Sequence, residues 1–293
     1  MRLLFTIPHF FRPSPAARHG SEMRQPARRR EILRRTLLGL HHAFGMRQGL
    51  VDSDKKRLHQ ANDRLRSEVE IVVCTTGPDH LIDESFSELC RHRPTRAEPL
   101  LLGYECHEVL RQSLGSYDFY CYLEDDLLLT DALFFRKLAW FGEIAGPDCL
   151  LQPNRFELGT DGRVKLYCDG NIVDPGISPR FQNRMDRPRI EASLMGASFT
   201  FQRVDNPHAG AFFLSAAQMA LWAAKPYFLD RATGFWGPLE SAATLGIMRC
   251  FRVYKPAREN AGFLEIQHLD PRLVDRVRPV AAAAAAPADR RSA

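Results

Sequence analysis

Residues Phe119 to Leu123 form an apolar, aromatic-rich run that stops at three consecutive acids, Glu124, Asp125 and Asp126, before the chain turns apolar again at Leu127. The run has the length and character of a strand covered on both faces, which belongs inside an α/β sheet. Two like charges about 4 Å apart repel by roughly 4 kcal/mol at an effective dielectric near 20. Either something positive comes to this triplet, or one acid holds a proton.

The elements around it alternate. Leu3 to Ile7 reads as a first strand ended by Pro8. Arg29 to Phe44 reads as a helix, with Ile32, Leu33, Leu37, Leu40 and Phe44 at helical spacing, and Val69 to Cys74 as a second buried strand. A helix from Cys106 to Leu114 then leads into Phe119–Leu123. Strand, helix and strand in this order predict a parallel sheet with crossover helices, in which ligands bind at the carboxyl ends of the strands. Residues 47–66 are polar and read as a loop plus a solvated helix. Asp131 to Ile144 reads as an aromatic amphipathic helix, Cys149 to Gln152 as a short strand, and Phe156 to Tyr167 as a hairpin turning at Thr160, Asp161 and Gly162.

Residues 169–206 are rich in Gly, Pro, Asn, Arg and Asp without periodicity. That predicts a functional lid or binding loop, with Arg180, Arg184, Arg187 and Arg189 as candidate phosphate contacts. A strand at Ala211–Leu214, a helix capped by Ser215, a helix from Pro238 to Met248 and strands at Phe251–Tyr254 and Phe263–Leu269 complete the body. The expected fold is α/β, a mixed, mainly parallel central sheet with helices on both faces. It forms one domain over residues 1–275, with a nucleotide-binding half (1–125) and an acceptor-binding half (126–275). Residues 276–293, which include six alanines from Ala281, read as a disordered low-complexity tail.

The net charge of +5 is unevenly placed: residues 1–66 hold 15 Lys or Arg against 5 acids, and the remainder balances at −5. A basic amino-terminal region suits an anionic membrane surface as a peripheral contact. Nothing there resembles a nucleic-acid module, so no nucleic-acid partner is expected. The seven cysteines are odd in number, form no Cys-x-x-Cys pair and lie partly in apolar runs, which favours a reducing compartment. With no apolar span of 18 residues and an opening MRLLFTIPHFF too short for a signal-peptide core, the expected location is cytoplasmic.

Three chemistries suit the triplet: a structural cluster paired with arginines, a calcium site, or a divalent ion shared between carboxylates and a diphosphate. The alternating ligands and central Gly of an EF-hand are missing. One or two carboxylates plus substrate phosphates is how Mg²⁺ or Mn²⁺ is usually held, and a strand end in an open α/β sheet is where a nucleotide sits. The third reading gains most from position. The chain has no G-x-x-x-x-G-K-[ST], no G-x-G-x-x-G after a strand and no G-x-S-x-G, so a P-loop NTPase, a Rossmann dehydrogenase and a serine hydrolase lack support.

The segment YDFYCYLEDD resembles the Asp-x-Asp-type segment of GT-A-fold, metal-dependent nucleotide-sugar glycosyltransferases, in which a strand ends in an acidic triplet. The resemblance runs from about Leu3 to His268. It implies a hexosyltransferase-type enzyme that uses Mn²⁺ or Mg²⁺ and a nucleoside diphosphate sugar, with UDP favoured by the resemblance alone. The acceptor would be a sugar or a lipid-linked hydroxyl. It implies Asp126 and His268 as metal ligands and Glu124 and Asp125 serving the nucleoside or supporting the metal; Arg111, on the helix upstream of the triplet, reads either as a diphosphate contact or as one half of a surface ion pair. The Asn206–Ala211 turn, with His208 and Gly210, resembles the opening of an acceptor pocket, to which Trp236 would contribute. Glu240, after Gly237 and Pro238, matches the general-base position of inverting members. Where many members carry an Asp after strand two, this chain has Thr75, Thr76 and Gly77, leaving Thr75 as the candidate nucleoside contact. The competing functions are another metal-dependent nucleotidyltransferase or phosphohydrolase, and a non-catalytic binding protein on the same scaffold.

Overall fold

The computed structural model describes residues 1–14, 25–159, 162–168 and 178–271. Its first half contains β1 (Arg2–Pro8), α1 (Pro26–Phe44), β2 (Gly49–Asp52), β3 (Arg57–Gln60), β4 (Glu68–Thr76), β5 (Arg91–Thr95), α2 (Leu102–Gln112) and β6 (Phe119–Leu123). Then follow β7 (Leu127–Leu128), α3 (Phe134–Ala145), β8 (Cys149–Leu151), β9 (Asn154–Leu158), β10 (Lys165–Tyr167), β11 (Arg189–Leu194) and β12 (Ala197–Arg203). The last elements are β13 (Ala211–Ser215), α4 (Ala216–Ala223), α5 (Pro238–Cys250), β14 (Arg252–Pro256) and β15 (Glu265–His268).

The largest sheet has the order β13-β6-β1-β4-β5, parallel except for β13. Its inner strands β1, β4 and β6 are largely apolar along their buried lengths because both faces are covered. Leu3, Phe5, Ile7, Ile71, Val73, Phe119, Cys121 and Leu123 enter the core shared with α1 and α3. Leu4, Val72, Cys74, Tyr120, Tyr122, Phe212 and Leu214 enter the core shared with α2, α4 and α5. This is the mixed, mostly parallel α/β arrangement expected, of Rossmann-like type. Two four-stranded sheets, β10-β9-β15-β7 and β11-β12-β14-β8, and the separate β2–β3 hairpin accompany it. Strand order reverses at β1, which has β4 on one side and β6 on the other, opening a crevice beyond their carboxyl ends.

Local chemistry sets the helix ends. Pro26 and Pro238 open α1 and α5, where a missing N–H costs nothing. Ser215 accepts from the Gln218 backbone in a capping box, as its position predicts. No helix among the described residues is long and apolar enough to cross a membrane, and no disulfide joins any two cysteines among the described residues.

Three segments differ from expectation. Residues 47–66 hold the β2–β3 hairpin rather than a solvated helix, its Ser53–Lys56 turn using Lys56 at φ +50°. β5 was not expected, since a central Pro94 is tolerated only on an edge strand, which β5 is. Much of the supposed lid is an antiparallel hairpin, β11–β12, turning at Met195 and Gly196 with φ of +53° and +79°, the left-handed pair of a tight hairpin turn. Arg184 and Arg189 pair with Asp205 and Glu259, and Arg187 donates to the Ala145 carbonyl, so the fold itself engages these three. The β9–β10 hairpin forms as expected. Thr160 and Asp161 of its turn, residues 169–177 of the supposed lid and the 276–293 tail lie outside the described residues.

Candidate functional site

The crevice beyond β1, β4 and β6 gathers titratable side chains from β1, α1, β6, β9, β15 and α5 or the residues next to them. Asp125 is buried and is engaged by two side chains, His9 and Arg29. His9, just past β1, points Nδ1 at Asp125 Oδ2 at 2.5 Å, while its Nε2 accepts from the Leu81 backbone at 3.1 Å, so the proton sits on Nδ1. Arg29, in the first turns of α1, donates Nη2 to Asp125 and Nη1 to Asp126 Oδ2 at 3.0 Å. Thr36, two turns along the same helix, donates to the Asp125 carbonyl.

Asp126 is reached from the other side by β15. That strand pairs antiparallel with β7, placing His268 opposite Leu127. The Leu269 amide donates to the Asp126 carbonyl at 2.8 Å, and His268 lies between Asp126 (Nε2 to Oδ2, 3.6 Å) and Glu157 (Nδ1 to Oε1, 2.7 Å). Burial alone would lower the imidazole, but the Asp126 charge and the hydrogen bonds to Asp126 and Glu157 push it up to about 10. Burial would likewise raise Asp126, and the charges of His268 and Arg29 outweigh it and hold that carboxylate well below its usual range. Asp126 Oδ1 is buried and accepts no hydrogen bond.

Glu124 is in the opposite state. Burial first, and the Asp126 charge second, push it up to about 7 against the opposing charges of Arg155 and His268. Its side chain remains 26% exposed, so a ligand can reach it. Its amide donates to the Gly210 carbonyl at 2.9 Å, continuing the β6–β13 register by one pair. Gly210 has φ +64°, and a Cβ there would run into the Glu124 carboxylate, so only glycine satisfies both demands. Glu240, half-buried in the first turn of α5, is close enough that its charge also raises Glu124. Trp236, just ahead of α5, is 52% exposed and holds a left-handed backbone at φ +60°. For a bulky residue that conformation is an outlier of the kind concentrated at ligand sites.

Of the expected site residues, Glu124, Asp125, Asp126, His268, Gly210 and Glu240 therefore come together. His208 is buried two residues from Gly210, its Nδ1 sharing a hydrogen bond with Thr244 and its carbonyl accepting from Lys255. Thr75 is buried at the end of β4 with its hydroxyl on His92 Nε2. Arg111 is not part of the cluster. It pairs with Glu108 on the exposed face of α2, near the end that leads back to the start of β6. Arg29, His9, Arg155 and Glu157 belong to the cluster and were not anticipated. Arg29 had a readable signal, because positions 29, 33, 37, 40 and 44 form one buried helical stripe that the arginine extends by a turn.

Among the described residues, no group of three or more His, Cys, Asp or Glu is arranged to hold a metal ion unaided. The donors suit a shared ion instead. Asp126 Oδ1 is an acceptor without a donor, and His268 Nε2 lies beside the same carboxylate. A divalent ion drawing its remaining ligands from substrate phosphates fits that carboxylate oxygen, with His268 Nε2 able to join only once the ion displaces its proton.

No protein-family model matches the chain, and no curated protein matches it in sequence. Solved structures align weakly over most of it. Residues 1–349 of S. aureus TarS are 11% identical, with a TM-score of 0.46, over 92% of this chain and 61% of that one. The same TarS segment in complex with UDP-GlcNAc is 12% identical, with a TM-score of 0.41, over 91% of this chain and 58% of that one. GalNAc-T7 with UDP, GalNAc and Mn²⁺ is 11% identical, with a TM-score of 0.46, over 91% of this chain and 43% of that one. The chain thus spans about three-fifths or less of these structures' lengths. Likeness at this level carries no argument about activity.

Proposed function

We propose that the chain transfers a sugar from a nucleoside diphosphate sugar, a UDP-sugar by the sequence resemblance, to the hydroxyl of a sugar or lipid-linked acceptor. The observation that supports this most is the division of labour among adjacent carboxylates at one strand end. Asp126 is held ionised with a vacant acceptor oxygen, while Glu124 is pushed to about 7 within reach of solvent. Environments that split neighbouring carboxylates in this way mark acid–base and charge-handling sites.

Asp126 would hold Mn²⁺ or Mg²⁺, and His268 would join it once the incoming ion displaces its Nε2 proton. When bound, the ion would neutralise charge on the diphosphate as it leaves. Asp125 is fixed by His9 and Arg29, and with Glu124 it lines the nucleoside side of the crevice. Trp236 offers an exposed ring for a sugar face, and Gly210 keeps the wall open where Glu124 turns inward. Glu240 takes the acceptor proton as the sugar transfers with inversion.

Incubation with a panel of nucleoside diphosphate sugars, Mn²⁺ and candidate acceptors tests the reading. Free nucleoside diphosphate together with a glycosylated acceptor supports it. Release of pyrophosphate or inorganic phosphate instead assigns the site to nucleotidyl transfer or phosphohydrolysis.

A further inference from the structure

The basic balance of the amino-terminal region plays no part in the crevice chemistry, apart from Arg29. Several of its other cations lie on or beside the β2–β3 hairpin, which pairs only with itself among the described residues. Val51 and Leu58 face each other directly across its strands, 69% and 73% exposed, and Leu50 on its opposite face is 67% exposed. A two-stranded hairpin is at best marginally stable alone, and apolar cross-strand pairs normally face a core. These face solvent and belong to none of the hydrophobic cores of the chain.

The charge around these side chains suggests what covers them. Lys55, Lys56, Arg57 and Arg64 in and just after the hairpin are exposed, and none is within ion-pair distance of a carboxylate among the described residues. Arg47 beside the hairpin is almost fully exposed, its one carboxylate neighbour being the similarly exposed Glu88 at 3.9 Å. The acids of the same stretch are Asp52, Asp54 and Asp63, and Asp63 is taken up by Arg66. Projecting aliphatic side chains ringed by unpaired cations match the headgroup layer of an anionic bilayer, where apolar groups enter the acyl boundary and ammonium and guanidinium groups meet phosphates. We infer that the β2–β3 hairpin docks this chain on an anionic lipid surface. The inference is independent of the sugar-transfer reading.

Co-sedimentation of the full chain with vesicles tests it, using phosphatidylcholine alone and phosphatidylcholine containing about one third phosphatidylglycerol. Binding is expected to the anionic vesicles only, weakening steeply as salt rises. Replacing Lys55, Lys56 and Arg57 together by Gln is expected to weaken it about a hundredfold, at roughly fivefold per cation. The double variant Val51→Ser, Leu58→Ser should weaken it about tenfold by removing apolar insertion. Both variants should keep the wild-type melting temperature, because the hairpin stands outside the cores. Equal binding to neutral vesicles, or no binding to either, overturns the inference. So does a dimer in light scattering that disappears with Val51→Ser, Leu58→Ser, which would assign the face to a second copy. Binding to a DNA duplex that depends on the cations but not on Val51 and Leu58, without vesicle binding, would assign it to nucleic acid.

Discussion

The Gly210 carbonyl accepts the Glu124 amide at 2.9 Å, and the space where a Gly210 side chain would stand is filled by the Glu124 carboxylate. Backbone pairing and side-chain placement therefore depend on one residue. Gly210→Ala is expected to cost about 1–2 kcal/mol for the left-handed backbone alone and to push the Glu124 carboxylate out of place. Transfer activity should fall more than stability predicts, which is checked by assaying at a temperature where both proteins are fully folded.

Asp126 tests the charge arrangement. On sequence alone, deleting one of three clustered acids should relieve repulsion and stabilise the protein. In the structure Asp126 is paired with Arg29 and His268, so the sign reverses. Asp126→Asn is expected to destabilise by about 3 kcal/mol, the lower end for breaking a buried pair, because Asp125 still holds Arg29. It should also abolish Mn²⁺-dependent nucleotide binding. Denaturant titration and calorimetric nucleotide binding, each with and without Mn²⁺, report the two effects separately. Unchanged Mn²⁺-dependent affinity would remove Asp126 from the ion site.

Glu240 and Glu124 compete for the role of base, and paired variants separate them. Glu240→Gln is expected to cut transfer by roughly two to four orders of magnitude, the usual contribution of general base catalysis. Donor affinity and melting temperature should barely change. Glu124→Gln is isosteric with the protonated form of a group already pushed to about 7, so it should fold normally. If Glu124→Gln alone abolishes turnover at saturating donor, the proton passes to Glu124 and Glu240 serves only the helix end.

His107 gives a pH dependence away from the crevice. Its ring is buried among Tyr104, Tyr122, Phe212 and Trp222, with Nε2 donating to the Ala242 carbonyl, and burial pushes it down to about 4. The unfolded chain takes up this proton near the ordinary value of about 6.5. Between pH 6.5 and 4 the unfolded state therefore binds more protons, and the folded state loses about 3 kcal/mol as pH falls through that window. Glu124 acts in the opposite sense, because a carboxyl raised to about 7 favours the folded state as pH falls from 7 toward its unfolded value. The measurement is thus a difference between proteins: His107→Gln should lose less stability on acidification from pH 6.5 to 4 than the wild type. Parallel stability–pH curves would show that His107 gains its proton in the folded state as easily as in the unfolded one.

The buried parallel strands β1, β4 and β6 were legible because burial on both faces demands uninterrupted apolar runs. The edge strand β5 was not, since Arg91, His92 and Pro94 are residues that only a solvent-facing edge accepts. The question posed by the triplet has a double answer: Arg29 and His268 supply the positive charge, and Glu124 is the acid that tends to keep its proton. Asp126 and Glu240 could be picked out from local sequence and family resemblance. The nearness of His268 to Asp126 depends on β15 pairing with β7, some 140 residues away along the chain, a contact that no local pattern encodes. Arg29 looked like one more cation in a basic stretch until its place on the buried stripe of α1 was clear.

Helix α1 also works as a spacer. Near one end Arg29 grips the acids of the crevice. At the other, the Phe44 carbonyl accepts the Ser67 amide just before the amino end of β4, where the chain leaves for the hairpin and returns from it. Fifteen residues at 1.5 Å each separate those points by about 22 Å. A chain resting on lipid through that hairpin would hold its crevice at about this height above the headgroups, facing away from them. A lipid-linked acceptor would then reach the site only through a hydroxyl carried clear of the headgroups, on a glycan stalk for instance, whereas one arriving from solution would meet it directly.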